Sequence, residues 1–198
     1  MNAGVCPAYL PSIRYMAWIV AKKEVTFVLT NNYQKQTYRN RTEIYGANGK
    51  LKLTIPISHN KFQKNQLDSE VKIFNDSFWQ RDHWKSLESS YRSSPFFEFY
   101  EDDLYPFFHR THEKLMDLNI ALIKKIFSLL EITIEFKKTN KVDEFSELIH
   151  AKQKTIYKIP FYHQVFNSKY GFINNLSILD LIFNVGPESN NYLKKLQI

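Results

Sequence analysis

The stretch YRNRTEIYGANGKLKLTIPI, residues 38–57, carries the pattern of a β-hairpin. Two arms rich in β-branched and aromatic residues flank the pair Asn48 and Gly49, which is the strongest short-range signal for a tight turn between antiparallel strands. Apolar and polar residues alternate along the second arm, as they do in a strand that buries one face. The stretch therefore predicts an antiparallel hairpin in the N-terminal third of the chain.

Helical patterns follow the hairpin. Helices are predicted to begin near Ser77 and Thr111, and the second repeats apolar residues at spacings of three and four. A β-branched run at residues 25–29 is expected to join the antiparallel sheet. Because strands come first and helices later, we predict an α+β fold, with the sheet packed on the helices. A chain of 198 residues suits one well-buried domain, so residues 1–198 are assigned to a single domain.

The segment SILDLIFNVGPE, residues 177–188, predicts a short buried C-terminal helix that closes the core. Ser177 is placed to cap it, Asp180 to complete a capping box, and Gly186 to end it. Asp180 and Asn184 lie one turn apart on an otherwise apolar helix. Two interpretations follow: the pair satisfies the helix ends, or it brings buried polar groups into a binding site.

Composition limits the classes of function. The net charge is +7, but the Lys and Arg residues are scattered, so nucleic acid is not the expected partner. No apolar run approaches the roughly 20 residues of a membrane span. The N-terminus lacks a signal-peptide pattern and Cys6 is the single cysteine, so a cytoplasmic protein is expected.

Several standard sites are missing from the sequence. There is no Gly-rich dinucleotide loop, P-loop or nucleophile elbow. His109 and His112 lack the spacing of a zincin helix and are interpreted as surface residues. Cys6 beside Pro7 is interpreted as a packing residue rather than a nucleophile. No cofactor and no metal are therefore predicted.

One dense basic and aromatic cluster stands out at residues 33–41. Lys35, Arg39 and Arg41 are interleaved there with Tyr33 and Tyr38. Such a cluster suits a phosphate group with a ring stacked beside it, as in a nucleotide sugar or an RNA end. Arg41 is either a bidentate phosphate ligand or one half of a structural ion pair.

Five strings resemble the WbqC-like family, in particular its Bacteroidetes-type members. These are PAYLPSIRY at 7–15, NYQKQTYRNR at 32–41, LTIPI at 53–57, SSPFFEFY at 93–100 and the block YHQVFNSKYGFINNLSILDLIFNVGPE at 162–188. The resemblance covers nearly the whole chain. It implies a role in surface-polysaccharide (O-antigen) biosynthesis, for which transfer of glycine has been suggested.

Two functions are compatible with this resemblance. The first is a transferase that attaches an amino acid such as glycine to a nucleotide-linked amino sugar. Lys35 and Arg41 would then hold phosphate, His83 would move a proton as the acid or base, and Asp180 or Asn184 would orient the acceptor. The alternative is a non-catalytic nucleotide-sugar-binding or accessory protein of the same pathway.

Other substrate-binding candidates rest on their place in the family strings. They are Tyr38, Asn40, Tyr91, Gln164 and Asn174. The predicted partner is an anionic nucleotide sugar, no membrane partner is expected, and a tRNA-linked donor is left open. We also expect Lys35, Arg41 and His83 to reach a common pocket with Asp180 or Asn184 on its wall.

Overall fold

A computed structural model describes residues 3–22, 24–58, 65–137, 142–146, 148–150 and 157–196. The helices of these residues are α1 (Ile13–Lys22), α2 (Trp79–Tyr91), α3 (Phe97–His109), α4 (Leu115–Leu129), α5 (Asn167–Tyr170), α6 (Ile178–Val185) and α7 (Ser189–Lys195). The strands are β1 (Ala3–Val5), β2 (Glu24–Phe27), β3 (Arg41–Gly46), β4 (Gly49–Thr54), β5 (Glu135–Lys137) and β6 (Glu144–Ser146). The predicted α+β class is confirmed.

The hairpin of β3 and β4 is confirmed. The strands pair antiparallel from Arg41 opposite Thr54 to Gly46 opposite Gly49, with a two-residue turn between them. Gly49 has φ +94, in the region where a side chain is strained, which explains why glycine follows the turn. The existence of the hairpin was thus predicted, whereas its register was not.

A parallel sheet is the part of the fold that the sequence did not predict. Its order is β5-β2-β1-β6, and each neighbouring pair is parallel. Residue Val25 therefore lies in a parallel strand, whereas an antiparallel sheet was expected. Helix α1 connects β1 to β2 and supplies the crossover that parallel strands require. The hairpin forms a separate two-stranded sheet.

The C-terminal helix α6 lies in the core, as predicted. Residues 178–183 are all buried, and all of them except Asp180 belong to the apolar cluster that takes in residues of β1, α1, α2, α3 and α4. Ser177 caps the helix by accepting a hydrogen bond from the Leu179 backbone N–H. Gly186 ends it with φ +63, and a Cβ at that position would come within 2.6 Å of the Phe96 ring. Only glycine fits there.

None of the helices in the described part of the chain combines the length and the apolar character that a membrane crossing requires.

Candidate anion-binding pocket

An open pocket of about 260 Å³ lies where the chain enters the hairpin. Residues of the segment before β3, of the start of β3 and of the end of β4 form its walls. They are Tyr33, Lys35, Gln36, Asn40, Arg41, Lys52, Thr54 and Ile57. Three of the predicted binding residues are thus brought together: Lys35, Asn40 and Arg41.

The register of the hairpin explains why lining residues from its two strands lie on one face. Arg41 pairs with Thr54, and Lys52 pairs with Glu43. Side chains two positions apart on a strand point to the same face, so Lys52 is on the face of Arg41 and Thr54. Lys52 was not among the residues predicted from the sequence, since its position opposite Glu43 depends on the register of the hairpin.

The charge of the pocket is uncompensated. Lys35, Arg41 and Lys52 form no ion pair with any residue that the structure describes. The nearby carboxylate of Glu43 is taken by Lys50, whose Nζ lies 3.0 Å from it. The structural ion pair considered for Arg41 is therefore not seen in the described part of the chain. Three cations on one concave surface attract an anion.

Arg41 is held by the backbone of the same loop. Its Nη2 donates to the carbonyl of Gln36, a residue with φ +61. A non-glycine residue in this left-handed region carries a conformational cost of about 1–3 kcal/mol, and such costs are found preferentially at binding sites. One guanidinium edge is thereby fixed. The remaining N–H groups can bind a phosphate.

Arg39 does not belong to the pocket, although the sequence grouped it with Lys35 and Arg41. Its side chain is 2% exposed, and Nε donates to Asp68 across 2.8 Å. Cys6 Sγ contacts the other oxygen of Asp68 at 3.3 Å. Burial raises the pKa of the Cys6 thiol far above its usual range, so the thiol stays protonated at neutral pH. This agrees with the prediction that Cys6 is not a nucleophile.

His83 does not belong to the lining of the pocket. It is 5% exposed, and its Nδ1 lies 2.9 Å from the Tyr9 hydroxyl. Burial lowers the pKa of His83 to about 4, and a hydrogen bond to the Thr54 backbone only partly offsets this shift. The imidazole is therefore neutral at pH 7. The hydrogen bond links His83 to the lining residue Thr54, and the role of His83 as acid or base stays a prediction.

Asp180 lies in a separate buried network, and the capping-box interpretation of its side chain is wrong. Its carboxylate accepts hydrogen bonds from the Tyr91 hydroxyl at 2.8 Å, from the Tyr162 hydroxyl and from Gln164 Nε2 at 2.8 Å. Burial raises the pKa of Asp180, and these three donors lower it in part. The network joins α2, α6 and the segment before α5.

This network is displaced from the pocket along β3. Tyr91 accepts a hydrogen bond from the backbone N–H of Tyr45, four residues beyond Arg41 on the same strand. At 3.2–3.4 Å per strand residue, the separation is about 13 Å. The predicted common pocket with Asp180 on its wall is therefore not seen: Asp180, Tyr91 and Gln164 are absent from the lining.

The other three predicted residues make structural contacts. The Tyr38 hydroxyl faces Glu43 at 3.4 Å rather than the pocket. Asn174 bridges two backbone groups, accepting from Ile159 N–H and donating to the carbonyl of Tyr157. Asn184 Nδ2 donates to the backbone carbonyl of Asp180 one turn earlier.

The two histidines that were considered as metal ligands contact backbone carbonyls. His109 Nδ1 faces the carbonyl of Tyr105, and His112 Nε2 faces the carbonyl of Phe107. Among the residues that the structure describes, no group of three or more His, Cys, Asp or Glu side chains is arranged to hold a metal ion.

Fold and pocket define an α+β protein with a small cationic site at the entrance of a β-hairpin. Residues 6–156 match the WbqC-like protein family, and the chain belongs to that family. The chain is also similar to the uncharacterized protein Rv1507c of Mycobacterium tuberculosis, with 25% identity over 94% of each chain. No solved structure matches it.

Proposed function

We propose that the cationic pocket binds the phosphate groups of a nucleotide-linked sugar during the synthesis of a surface polysaccharide. The observation that carries the proposal is the convergence of Lys35, Arg41 and Lys52 without a compensating carboxylate in the described lining. Membership of the WbqC-like family supports a biosynthetic role. The resemblance noted from the sequence supports the particular pathway.

The volume of the pocket limits how much of a ligand it can enclose. Sites that bury most of a drug-sized ligand have volumes of about 300–1,000 Å³, and this one has about 260 Å³. A nucleotide sugar would therefore place its phosphates and one adjoining ring inside. The half-buried Tyr33 ring and the Ile57 side chain offer apolar contacts for that ring.

The lining favours binding over catalysis. None of the described lining residues carries a carboxyl, thiol or imidazole group, which are the usual general bases and nucleophiles. The proposal therefore puts the binding function first. Transfer of an amino acid such as glycine to the sugar is the second candidate, supported by the family resemblance, with His83, hydrogen-bonded to Thr54, as the proton-transfer group.

A thermal-shift titration tests the binding function. The purified chain is titrated with a nucleoside diphosphate amino sugar, with the matching nucleoside diphosphate and with the nucleoside. Both phosphate-bearing ligands should raise the unfolding temperature, since a ligand that binds only the folded state stabilises it. The nucleoside should have little effect. Equal shifts with all three ligands, or none, would contradict the proposal.

A product assay separates the two candidates. The same sugar is incubated with the protein and an activated glycine donor, and the products are examined by mass spectrometry. A glycyl adduct that forms only with active protein establishes transfer. Binding without an adduct supports the accessory function.

A further inference from the structure

Asn40 differs from the other described lining residues in being buried. It precedes β3 and is only 9% exposed. Its backbone carbonyl accepts from Ile55 N–H at 2.7 Å, and its Nδ2 donates to the Ile55 carbonyl at 2.8 Å. The side chain thus continues the hydrogen-bond ladder of the hairpin in place of a backbone donor.

These contacts decide which amide atom is left for a ligand. A carbonyl only accepts hydrogen bonds, so the atom facing Ile55 must be the nitrogen. Oδ1 of Asn40 is then the atom that the hairpin does not engage, and no described residue donates to it. An acceptor is therefore fixed in the wall of the pocket that Arg41 also lines.

Such an acceptor is unfavourable for a bare anion. Phosphate and pyrophosphate oxygens are acceptors, and they offer Asn40 Oδ1 no hydrogen when they are ionised. An acceptor left unpaired in a complex weakens binding. The other polar lining groups do not impose this requirement, because the hydroxyls of Tyr33 and Thr54 can donate or accept, and Gln36 is exposed and can rotate.

We infer that Asn40 selects a phosphorylated sugar that carries a hydroxyl or amino group next to the phosphate, whose hydrogen is donated to Asn40 Oδ1. The inference rests on the proposed function, since it assumes that the three cations hold the phosphate. Asn40 and Arg41 line the same pocket of about 260 Å³, so the donor must lie within a short distance of the phosphorus. The carbon adjacent to the phosphorylated carbon of a sugar places it there.

Three ligands test this inference by calorimetry. They are a hexose 1-phosphate, the 2-deoxyhexose 1-phosphate and methyl phosphate, which has no donor. The hexose 1-phosphate should bind about 3- to 10-fold more tightly than the 2-deoxy ligand, as expected for one neutral hydrogen bond. Asn40→Ala should bring the two affinities together. Asn191→Ala, at an exposed position of α7 outside the pocket, should keep the difference.

An NMR measurement on the wild-type protein tests the inference even if Asn40→Ala disturbs the hairpin. The side-chain amide resonances of Asn40 should shift with the hexose 1-phosphate and shift much less with methyl phosphate. Equal shifts, or equal affinities for the hexose and 2-deoxyhexose 1-phosphates, would overturn the inference while leaving phosphate binding intact. If methyl phosphate and both sugar phosphates all fail to bind, the proposed function itself is wrong.

Discussion

Arg39 Nε lies 2.8 Å from Asp68 Oδ1, and both side chains are buried although 29 positions separate them in sequence. Backbone hydrogen bonds accompany the ion pair, from Asp68 N–H to Asn31 and from Tyr33 N–H to Gln66, each at 2.8 Å. The pair therefore fixes the segment that carries Tyr33 and Lys35 to the pocket.

Removing one partner of this pair should destabilise the fold strongly. In Asp68→Asn, the guanidinium of Arg39 stays buried without a counter-charge, which typically costs about 3–5 kcal/mol in the free energy of unfolding. Urea denaturation measures the loss. Asp103→Asn is the matched control, because Asp103 pairs with Lys125 at the surface and should change stability by less than about 1 kcal/mol. Similar losses in both variants would show that burial of the pair is unimportant.

The hydrogen bonds of Asp180 predict that the difference in stability between the wild type and Asp180→Asn depends on pH. Asparagine presents an NH2 group where Tyr91, Tyr162 or Gln164 donates a hydrogen bond, so the variant should be less stable by about 1–3 kcal/mol. Burial raises the folded-state pKa of Asp180, so its contribution is full below the ordinary value near 4 and is lost as pH rises through the raised value. Urea denaturation from pH 4 to 8 should show the advantage of the wild type shrinking with rising pH. A growing advantage would show that burial does not raise the pKa of Asp180.

His83 predicts the opposite dependence on pH. Its folded-state pKa is lowered to about 4 from an unfolded value near 6.5, so it stabilises the protein above pH 6.5, and that stability is lost as pH falls toward 4. The stability of wild type relative to His83→Gln should fall by about 3 kcal/mol over this range. NMR titration of the imidazole checks the cause directly. A midpoint near 6.5 would show that the ring is not buried against Tyr9.

Arg41→Ala should weaken phosphate-ligand binding without unfolding the protein. A charge-assisted hydrogen bond contributes about 1.5–3 kcal/mol, so the Kd for a nucleoside diphosphate sugar should rise by roughly 10- to 150-fold. Arg81→Ala is the control, because Arg81 is exposed on α2 and contacts its neighbour Asp82. Calorimetry measures both affinities, and equal effects in the two variants would remove Arg41 from the site.

Local sequence signals predicted what local interactions determine. The Asn48 and Gly49 pair predicted the hairpin because a tight turn depends on few other contacts, although the two turn residues are Ala47 and Asn48, and Gly49 begins β4. The register that brings Lys52 to the face of Arg41 was not predicted. The parallel sheet was not predictable in this way, since β1 and β6 have three residues each and pair across the length of the chain.

The wrong predictions for Arg39 and Asp180 arose because both side chains contact residues that are distant in sequence. Nothing near Arg39 in sequence indicates that it is buried and Arg41 is not, because its partner Asp68 is 29 residues away. The spacing of Asp180 from Ser177 indicated a capping residue. Its carboxylate instead accepts hydrogen bonds from distant residues, among them Tyr91, which is 89 positions away in sequence. Short patterns report short-range contacts only.

Phosphate binding by the cationic pocket at the hairpin entrance can be followed residue by residue in an NMR titration of the isotope-labelled chain with a nucleoside diphosphate sugar, with resonances assigned. We expect the largest shifts at Tyr33, Lys35, Arg41, Lys52 and Thr54, and small shifts along the outer face of α2. Largest shifts on α2, or a uniform response along the scattered lysines, would contradict phosphate binding at this pocket.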